Sequence, residues 1–255
     1  MTAAAGTDLL APFRSRPAES VIACDFDGTL SPIVDDPAEA VLVDGARETL
    51  AALARQFEDV IVISGRPVSF LQAQLPAEVS LVGLYGLEGI RHGARWEHPN
   101  GGAWREVIAD LAALAASSGP PGVRVEPKDL SLTLHYRGAP ELAAQVTAFA
   151  TTLAERAGLA VRPARMSVEL HPPIRSDKGT VLERFAARAQ LALFAGDDHG
   201  DLPAFDALDR LAERGVQVVR VAVSSSEAPE ELLDRADLVV DGPGALLDLL
   251  RGLSG

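Results

Sequence analysis

Apolar residues run along this chain in two rhythms. Short unbroken runs, Val21–Cys24, Val60–Ile63 and Leu81–Leu84, have the form of strands buried on both faces. Between them the apolar positions space out. Leu50, Leu53 and Phe57 share one face of a helix predicted from about Gly45 to Phe57. Phe70, Leu71 and Leu75 do the same after Pro67, a residue suited to the first helical position. Strand and helix alternate, which predicts a parallel sheet with crossover helices, an α/β core. A hairpin from Ile90 to Glu97, turning at His92-Gly93, closes this stretch.

The pattern then changes. An Ala/Leu-rich helix, about Ala103 to Ala116, is followed by the break Ser117-Ser-Gly-Pro-Pro-Gly122 and by strands at Val123–Glu126 and Ser131–Arg137. A helix from about Pro140 to Arg156 and strands at Leu159–Pro163 and Ser167–His171 repeat the order. Helix-strand-strand, twice, predicts a small α+β unit with an antiparallel sheet. Pro172-Pro173 marks the return to the first rhythm: a helix from Ser176 to about Gln190, a strand at Leu193–Ala195, a helix over Leu202–Arg214, strands at Val216–Val223 and Leu238–Val240, and a closing helix from Pro243 to Arg251. The expected organisation is therefore a core of residues 1–97 and 173–255 with an inserted unit at 98–172.

Composition narrows the class of partner. The net charge is −13 over 255 residues, which argues against nucleic acid or an anionic membrane as a partner. The hydrophobic share of 47% with 5% aromatics predicts aliphatic cores. Cys24 is the one cysteine, so no internal disulfide can form, and its place on the first strand reads as a core thiol. No stretch has transmembrane length, and Met1–Glu19 shows no cleavage-site pattern. A cytoplasmic monomer acting on a small molecule is the expectation.

Four segments fall at strand ends or helix starts, where an open α/β sheet gathers ligands. Asp25-Phe-Asp27-Gly-Thr29 follows the first strand. Asp25 suits a carboxylate nucleophile toward phosphorus, and Asp27 suits the acid that protonates the leaving alkoxide and then the base for water. Ser64-Gly65-Arg66 follows the second strand, offering a hydroxyl and N–H groups to an oxyanion, although alone Ser64 reads as a helix cap. Lys178 opens a helix, where the dipole disfavours a cation; that conflict points to a bound anion or a carboxylate partner. Gly196-Asp197-Asp198-His-Gly-Asp201 adds oxygen ligands suited to Mg²⁺. Asp25, the Asp27 carbonyl and Asp197 make a candidate ligand set. Asp198 and Asp201 are further ligands or groups that orient Lys178 or metal-bound water.

In this order the four motifs resemble those of the haloacid dehalogenase superfamily of phosphohydrolases. The resemblance implies a Rossmann-like core and Mg²⁺-dependent phosphoryl transfer through an aspartyl-phosphate on Asp25. Longer stretches, Asp25–Ile33, Ile63–Arg66, Gly83–Glu88, Leu132–Arg137 and Met166–Pro172, resemble trehalose-6-phosphate phosphatases over nearly the whole chain. That likeness implies that the insert is a cap reading the sugar, with Glu126, Lys128, Arg137, Arg165 and Glu169 at sugar-binding positions and Gly65 and Arg66 beside the phosphate. Arg165 stands where the family usually has Lys, Tyr85 where it commonly has His, and His171 where it commonly has Arg. Trp96 and Trp104 suit either stacking on sugar or packing at the domain junction. Other readings are a phosphatase for sucrose phosphate, mannosylglycerate phosphate or another sugar phosphate, a phosphomutase retaining a bisphosphate, and a non-catalytic sugar-phosphate sensor. A pure binder needs no general acid, so intact Asp25 and Asp27 weigh against the last.

Overall fold

Strand β1 (Ser20–Cys24) is the centre of the molecule, and its five residues are all buried. In a computed structural model, which describes residues 8–34, 36–164, 166–226 and 228–254, β1 lies in an eight-stranded sheet. The elements in chain order are α1 (Ala11–Ser15), β1, α2 (Ala46–Ala54), β2 (Asp59–Ile63), α3 (Val68–Gln74), β3 (Ser80–Gly83), β4 (Glu88–Arg91), β5 (Ala94–Glu97), α4 (Arg105–Ser118), β6 (Arg124–Pro127), β7 (Leu132–His135), α5 (Ala143–Ala157), β8 (Ala160–Ala164), β9 (Ser167–His171), α6 (Lys178–Phe185), β10 (Leu191–Gly196), α7 (Leu202–Glu213), β11 (Gln217–Ser224), α8 (Glu230–Arg235), β12 (Leu238–Asp241) and α9 (Gly242–Arg251).

The large sheet has the order β12-β11-β10-β1-β2-β3-β4-β5. It is parallel from β12 to β3, and the β4–β5 hairpin closes it antiparallel. After β1 the chain winds outward through β2 and β3; after the insert it returns beside β1 with β10 and winds the other way. The order reverses between β1 and β10, the place where such sheets open a crevice for ligands. Alternation along β1 serves two cores. Ile22 and Cys24 pack with α1, α2, α3 and α9, whereas Val21 and Ala23 pack with α6, α7 and α8. Burying a side chain such as Ile22 stabilises the fold by about 1.5–3 kcal/mol.

The second sheet, β6-β7-β9-β8, is antiparallel and has its own core. Leu132, Leu134, Val168 and Leu170 pack against Ile108 and Leu111 of α4 and against Val146, Ala150 and Leu153 of α5. Its other face is polar and turns toward the carboxyl ends of β1 and β10. Trp96 packs on the core beneath the Arg184 guanidinium, and Trp104 joins the core of the second sheet. Both tryptophans thus take the packing role.

Several element bounds shift by a few residues, and two larger differences have a visible setting. The helix starting near Ser176 ends at Phe185 rather than Gln190. The chain must enter β10 in register with β1, Leu191 beside Ser20, and the Gln190 N–H is already bonded to the Glu19 carbonyl at 2.9 Å. Helix α8 was not anticipated. It is six residues long, starts after Pro229 and has Leu232 as its one fully buried residue, with Leu233 packed beside it. No helix among the described residues is long and apolar enough to cross a membrane.

Candidate active site

The β1–β10 pairing sets Cys24 beside Ala195, so Asp25 and Asp197 emerge together at the crevice. The Asp25 N–H continues the ladder to the Ala195 carbonyl at 2.9 Å, which fixes where its side chain starts. Gly28 then turns the chain with φ of +84°, a conformation glycine adopts readily. A Cβ there would stand 2.0 Å from an Asp197 carboxylate oxygen. Thr29 donates its hydroxyl to Asp197 Oδ1 at 3.0 Å. The glycine and the threonine therefore hold the first and fourth motifs against each other.

Lys178 completes the floor. Asp177 caps α6, accepting the Thr180 N–H at 2.7 Å, while Thr180 Oγ1 accepts the Asp177 N–H at 3.0 Å. A Cβ on Gly179 would meet the Pro203 carbonyl oxygen at 2.1 Å, so only glycine lets α6 lie this close to α7. The buried Lys178 ammonium lies 2.8 Å from Asp25 Oδ1 and donates to Asp201 Oδ1 at 2.6 Å. Carboxylate partners thus resolve its conflict with the helix dipole. Asp201 Oδ2 accepts the N–H groups of Asp197 and Asp198 at 2.9 and 3.1 Å. Asp198 turns back to accept the Gly200 N–H at 2.8 Å.

Carboxylate oxygens of Asp25, Asp197 and Asp201 lie within 4.8 Å of one another, so this cluster can hold a divalent cation. All three are buried. Burial raises the Asp25 carboxyl well above the usual range, against the pull of Lys178. Burial, with the charges of Asp201 and Asp198, brings Asp197 up to about 8. Asp201 rises to about 6, burial outweighing Lys178. Burial also works against the charge on Lys178, but Asp201 and Asp25 hold its pKa well above the ordinary value. One ammonium faces three buried carboxylates, and a hard cation with oxygen ligands fits the surplus. Asp201 already engages both oxygens, so it organises the site, and Asp25 and Asp197 are the better ligands. Cys24 beneath them is pushed up to about 12 by burial, then by Asp25 and Asp201, which leaves the thiol inert.

On the β2 side, the Ser64 hydroxyl is buried and accepts the Arg66 N–H at 3.1 Å. Arg66 grips Asp27 with two bonds, Nε to Oδ2 at 2.8 Å and Nη2 to Oδ1 at 2.7 Å, and stacks on Phe70 with its guanidinium 4.5 Å from the ring centre. Helix α3 starts one residue later than expected, at Val68, with Pro67 as its cap. The Val68 N–H goes to Glu88 Oε1 at 2.7 Å. A Cβ on Gly65 would meet the Tyr85 ring at 2.7 Å. Tyr85 and Leu84 hold left-handed backbone, φ 54° and 51°, sparsely used by such residues. Their N–H groups return to the Ser64 and Arg66 carbonyls at 3.0 and 3.1 Å.

The roof is the polar face of the second sheet. Strand alternation and register lay two transverse rows across it, Glu126–Thr133–Glu169–Arg162 and Arg124–His135–Ser167–Ala164. His135 Nε2 lies 2.6 Å from Glu126 Oε2, and Lys128 Nζ lies 3.7 Å from the same oxygen. Burial tends to raise the Glu126 carboxyl, but the His135 hydrogen bond and the charges of Lys128, His135 and Arg66 bring it down to about 2. Arg124 spans to Asp36 of the core at 2.6 Å. Floor and roof enclose a cleft of about 480 Å³.

Asp27, Arg66, Glu126, Lys128, Arg137, Asp197 and Asp198 all line this cleft, while Asp25, Lys178 and Asp201 form the buried floor beside it. Ser64, which is buried, and Gly65, which sits against the Tyr85 ring, do not line the cleft. Glu169 stands apart: it is 2% exposed, accepts the Ser131 hydroxyl at 2.7 Å and lies 3.4 Å from Arg162 Nη1. Arg165 lies outside the described residues. Glu88, His135 and Arg162 join the site without having been singled out, and Thr29, named only as the end of the first motif, joins it as the partner of Asp197. His135 was open to detection, since it sits on an alternating strand two residues before Arg137. Arg162 carried no local signal.

The trehalose-phosphatase family model matches residues 23–236 of this chain. A trehalose-phosphate phosphatase of Mycobacterium tuberculosis is 34% identical over 211 residues, which is 76% of this chain and 52% of that protein. An uncharacterized glycosyl hydrolase of the same organism is 37% identical over 199 residues, 72% of this chain and 15% of that protein. The chain thus spans about half the length, or less, of these relatives. Among solved structures, the C-terminal domain of a C. albicans trehalose-6-phosphate phosphatase superposes with a TM-score of 0.79 at 23% identity, covering 100% of this chain and 98% of that one, a likeness of fold.

Proposed function

We propose that this chain, which belongs to the trehalose-phosphatase family, hydrolyses the phosphate monoester of a sugar, with trehalose 6-phosphate as substrate and trehalose and phosphate as products. One observation carries the reading: the buried Asp25–Lys178–Asp201 array lies at the floor of a cleft roofed by carboxylates, an imidazole and cations. Phosphate chemistry needs the first and sugar hydroxyls the second.

Asp25 attacks phosphorus through a carboxylate oxygen. The ester P–O bond breaks as the aspartyl-phosphate forms, and Asp27 gives its proton to the leaving sugar oxygen. Asp27 then takes a proton from the water that cleaves the acyl-phosphate and restores Asp25. Arg66 holds the Asp27 carboxylate by two bonds. Arrival of a phosphoryl group gives that guanidinium a second anion to bind and frees Asp27 to carry its proton. Lys178 offsets the repulsion between Asp25 and the incoming phosphate. Mg²⁺, held by Asp25, Asp197 and, as the family implies, the Asp27 carbonyl, would supply further charge neutralisation. Glu126 with Lys128, together with Arg137 and Glu169, reads the sugar.

The test is phosphate release across a panel of sugar phosphates and p-nitrophenyl phosphate, with Mg²⁺ and with EDTA. Trehalose 6-phosphate should give the highest kcat/KM, with activity lost in EDTA and restored by Mg²⁺. A different preferred sugar phosphate would move the substrate assignment, and metal-independent turnover would remove the Mg²⁺ site.

A further inference from the structure

The row Glu126–Thr133–Glu169–Arg162 contains a polar atom that the mechanism above does not use. Thr133 is 3% exposed, and its Oγ1 has no hydrogen-bond partner among the described residues. A buried hydroxyl without a partner costs about 1–3 kcal/mol, and nearly all such groups are paired. Strand packing does not require it. Leu132 and Leu134 supply the apolar side of β7, so Thr133 belongs to the polar face turned to the core.

Its neighbours are engaged. Glu126 is bonded to His135, with Lys128 beside it, and Glu169 accepts from Ser131 and faces Arg162. Thr133 stands between the two carboxylates in direct register with both. A hydroxyl there offers one donor and two acceptor sites. An anion would be repelled by Glu126 and Glu169, and a cation would compete with Lys128 and Arg162, which those carboxylates already face. A neutral group that both donates and accepts fits, and a sugar hydroxyl is such a group.

We propose that Thr133 is a specificity-determining residue, hydrogen-bonding a hydroxyl of the sugar between the reach of Glu126 and that of Glu169. The proposal rests on the sugar-phosphate reading above. Thr133 is buried and does not line the cleft, so a ring reaches it only once the groups around it move. The end of the same row meets the core: Arg162 lies over the Tyr85 ring at 4.1 Å and donates to the Ser176 carbonyl at 3.2 Å. One row thus contains both a contact that joins the face to the core, as Arg124 does from the other row, and the unpaired hydroxyl.

The experiment compares wild type, Thr133→Val and Thr133→Ser for kcat/KM on trehalose 6-phosphate and on p-nitrophenyl phosphate, with thermal unfolding of each free protein. Valine keeps the shape and removes the hydroxyl. It should lower the sugar-phosphate to small-ester ratio about five- to tenfold, mostly through KM, with Tm no lower than wild type. Serine should restore the ratio to within about twofold. Thr133→Ala supplies the same comparison should valine not be accommodated. An unchanged ratio in the valine or alanine variant makes Thr133 a packing residue and overturns the proposal. An equal fall on both substrates also overturns it, by moving the effect to the catalytic floor. Wild type that prefers no sugar phosphate overturns the functional reading and this proposal together, whereas a wild-type preference that survives loss of the hydroxyl overturns this proposal alone.

Discussion

The floor and the roof of the cleft are built on opposite plans. The floor takes its groups from four short segments at strand ends and helix starts, and nearly every charge is buried and paired: Lys178 with Asp25 and Asp201, Asp201 with two N–H groups, Asp197 with Thr29. The roof takes alternate residues from four strands and leaves several part-exposed, as with Glu126 and Lys128, although Glu169 is buried against Ser131 and Arg162. Buried paired charges fix geometry at the expense of desolvation, which suits a reaction needing atoms held to a fraction of an ångström. Alternate positions on a sheet can be exchanged one at a time without disturbing the apolar face behind them. Under the proposed function, chemistry and selectivity would therefore occupy separately evolvable parts of the molecule.

The largest expected effect breaks the floor alone. Asp25→Asn keeps an oxygen for the Lys178 ammonium and removes a carboxylate that burial already disfavours as a charge. Phosphate release should fall by at least about a thousandfold on both sugar phosphates and p-nitrophenyl phosphate, because the nucleophile is lost. The thermal transition should remain cooperative and near that of wild type. Turnover within tenfold of wild type would remove Asp25 as nucleophile.

The same contrast explains what could be read from residue order. The floor was legible because each motif is contiguous and its role follows from its place: an apolar run ending in Asp25, another ending in Ser64, a lysine where a helix dipole opposes it, and Gly196-Asp197. The pairing partners were harder. The grip of Arg66 on Asp27 joins residues 39 apart, and the burial of Glu169 against Ser131 and Arg162 depends on how three strands align. Strand existence followed from apolar runs, but the ends of α6 and the short α8 follow from where the chain must go next. The roof was legible only through resemblance, because an alternating strand such as Leu132–His135 shows two faces without saying what the polar one meets.

A smaller effect sharpens the roof side. Glu169→Gln keeps an acceptor for Ser131 and weakens the attraction to Arg162. The ratio of kcat/KM for trehalose 6-phosphate over p-nitrophenyl phosphate should fall about tenfold, the weight of one charge-assisted hydrogen bond. Equal losses on both substrates would move Glu169 out of the sugar-reading face and make it a structural link between the roof and Arg162.

The smallest expected effect concerns stability and isolates the other end of the row. The Glu126 carboxyl is held at about 2 against an ordinary value of 4.5, its partners outweighing burial. Because the folded value is the lower one, the native state favours the ionised form. The resulting stabilisation is fully present above about 4.5 and is lost as pH falls through that value toward about 2. Glu126→Gln removes the titrating group. The Tm gap between wild type and this variant should be constant at neutral pH and should close as the solution is acidified across that window. Other carboxylates also protonate there, so the difference between the two proteins, rather than either curve, is the informative quantity. A gap that persists undiminished at the acid end would mean that the His135 and Lys128 contacts hold Glu126 by geometry rather than by charge. The roof would then resemble the floor more closely than its open placement suggests.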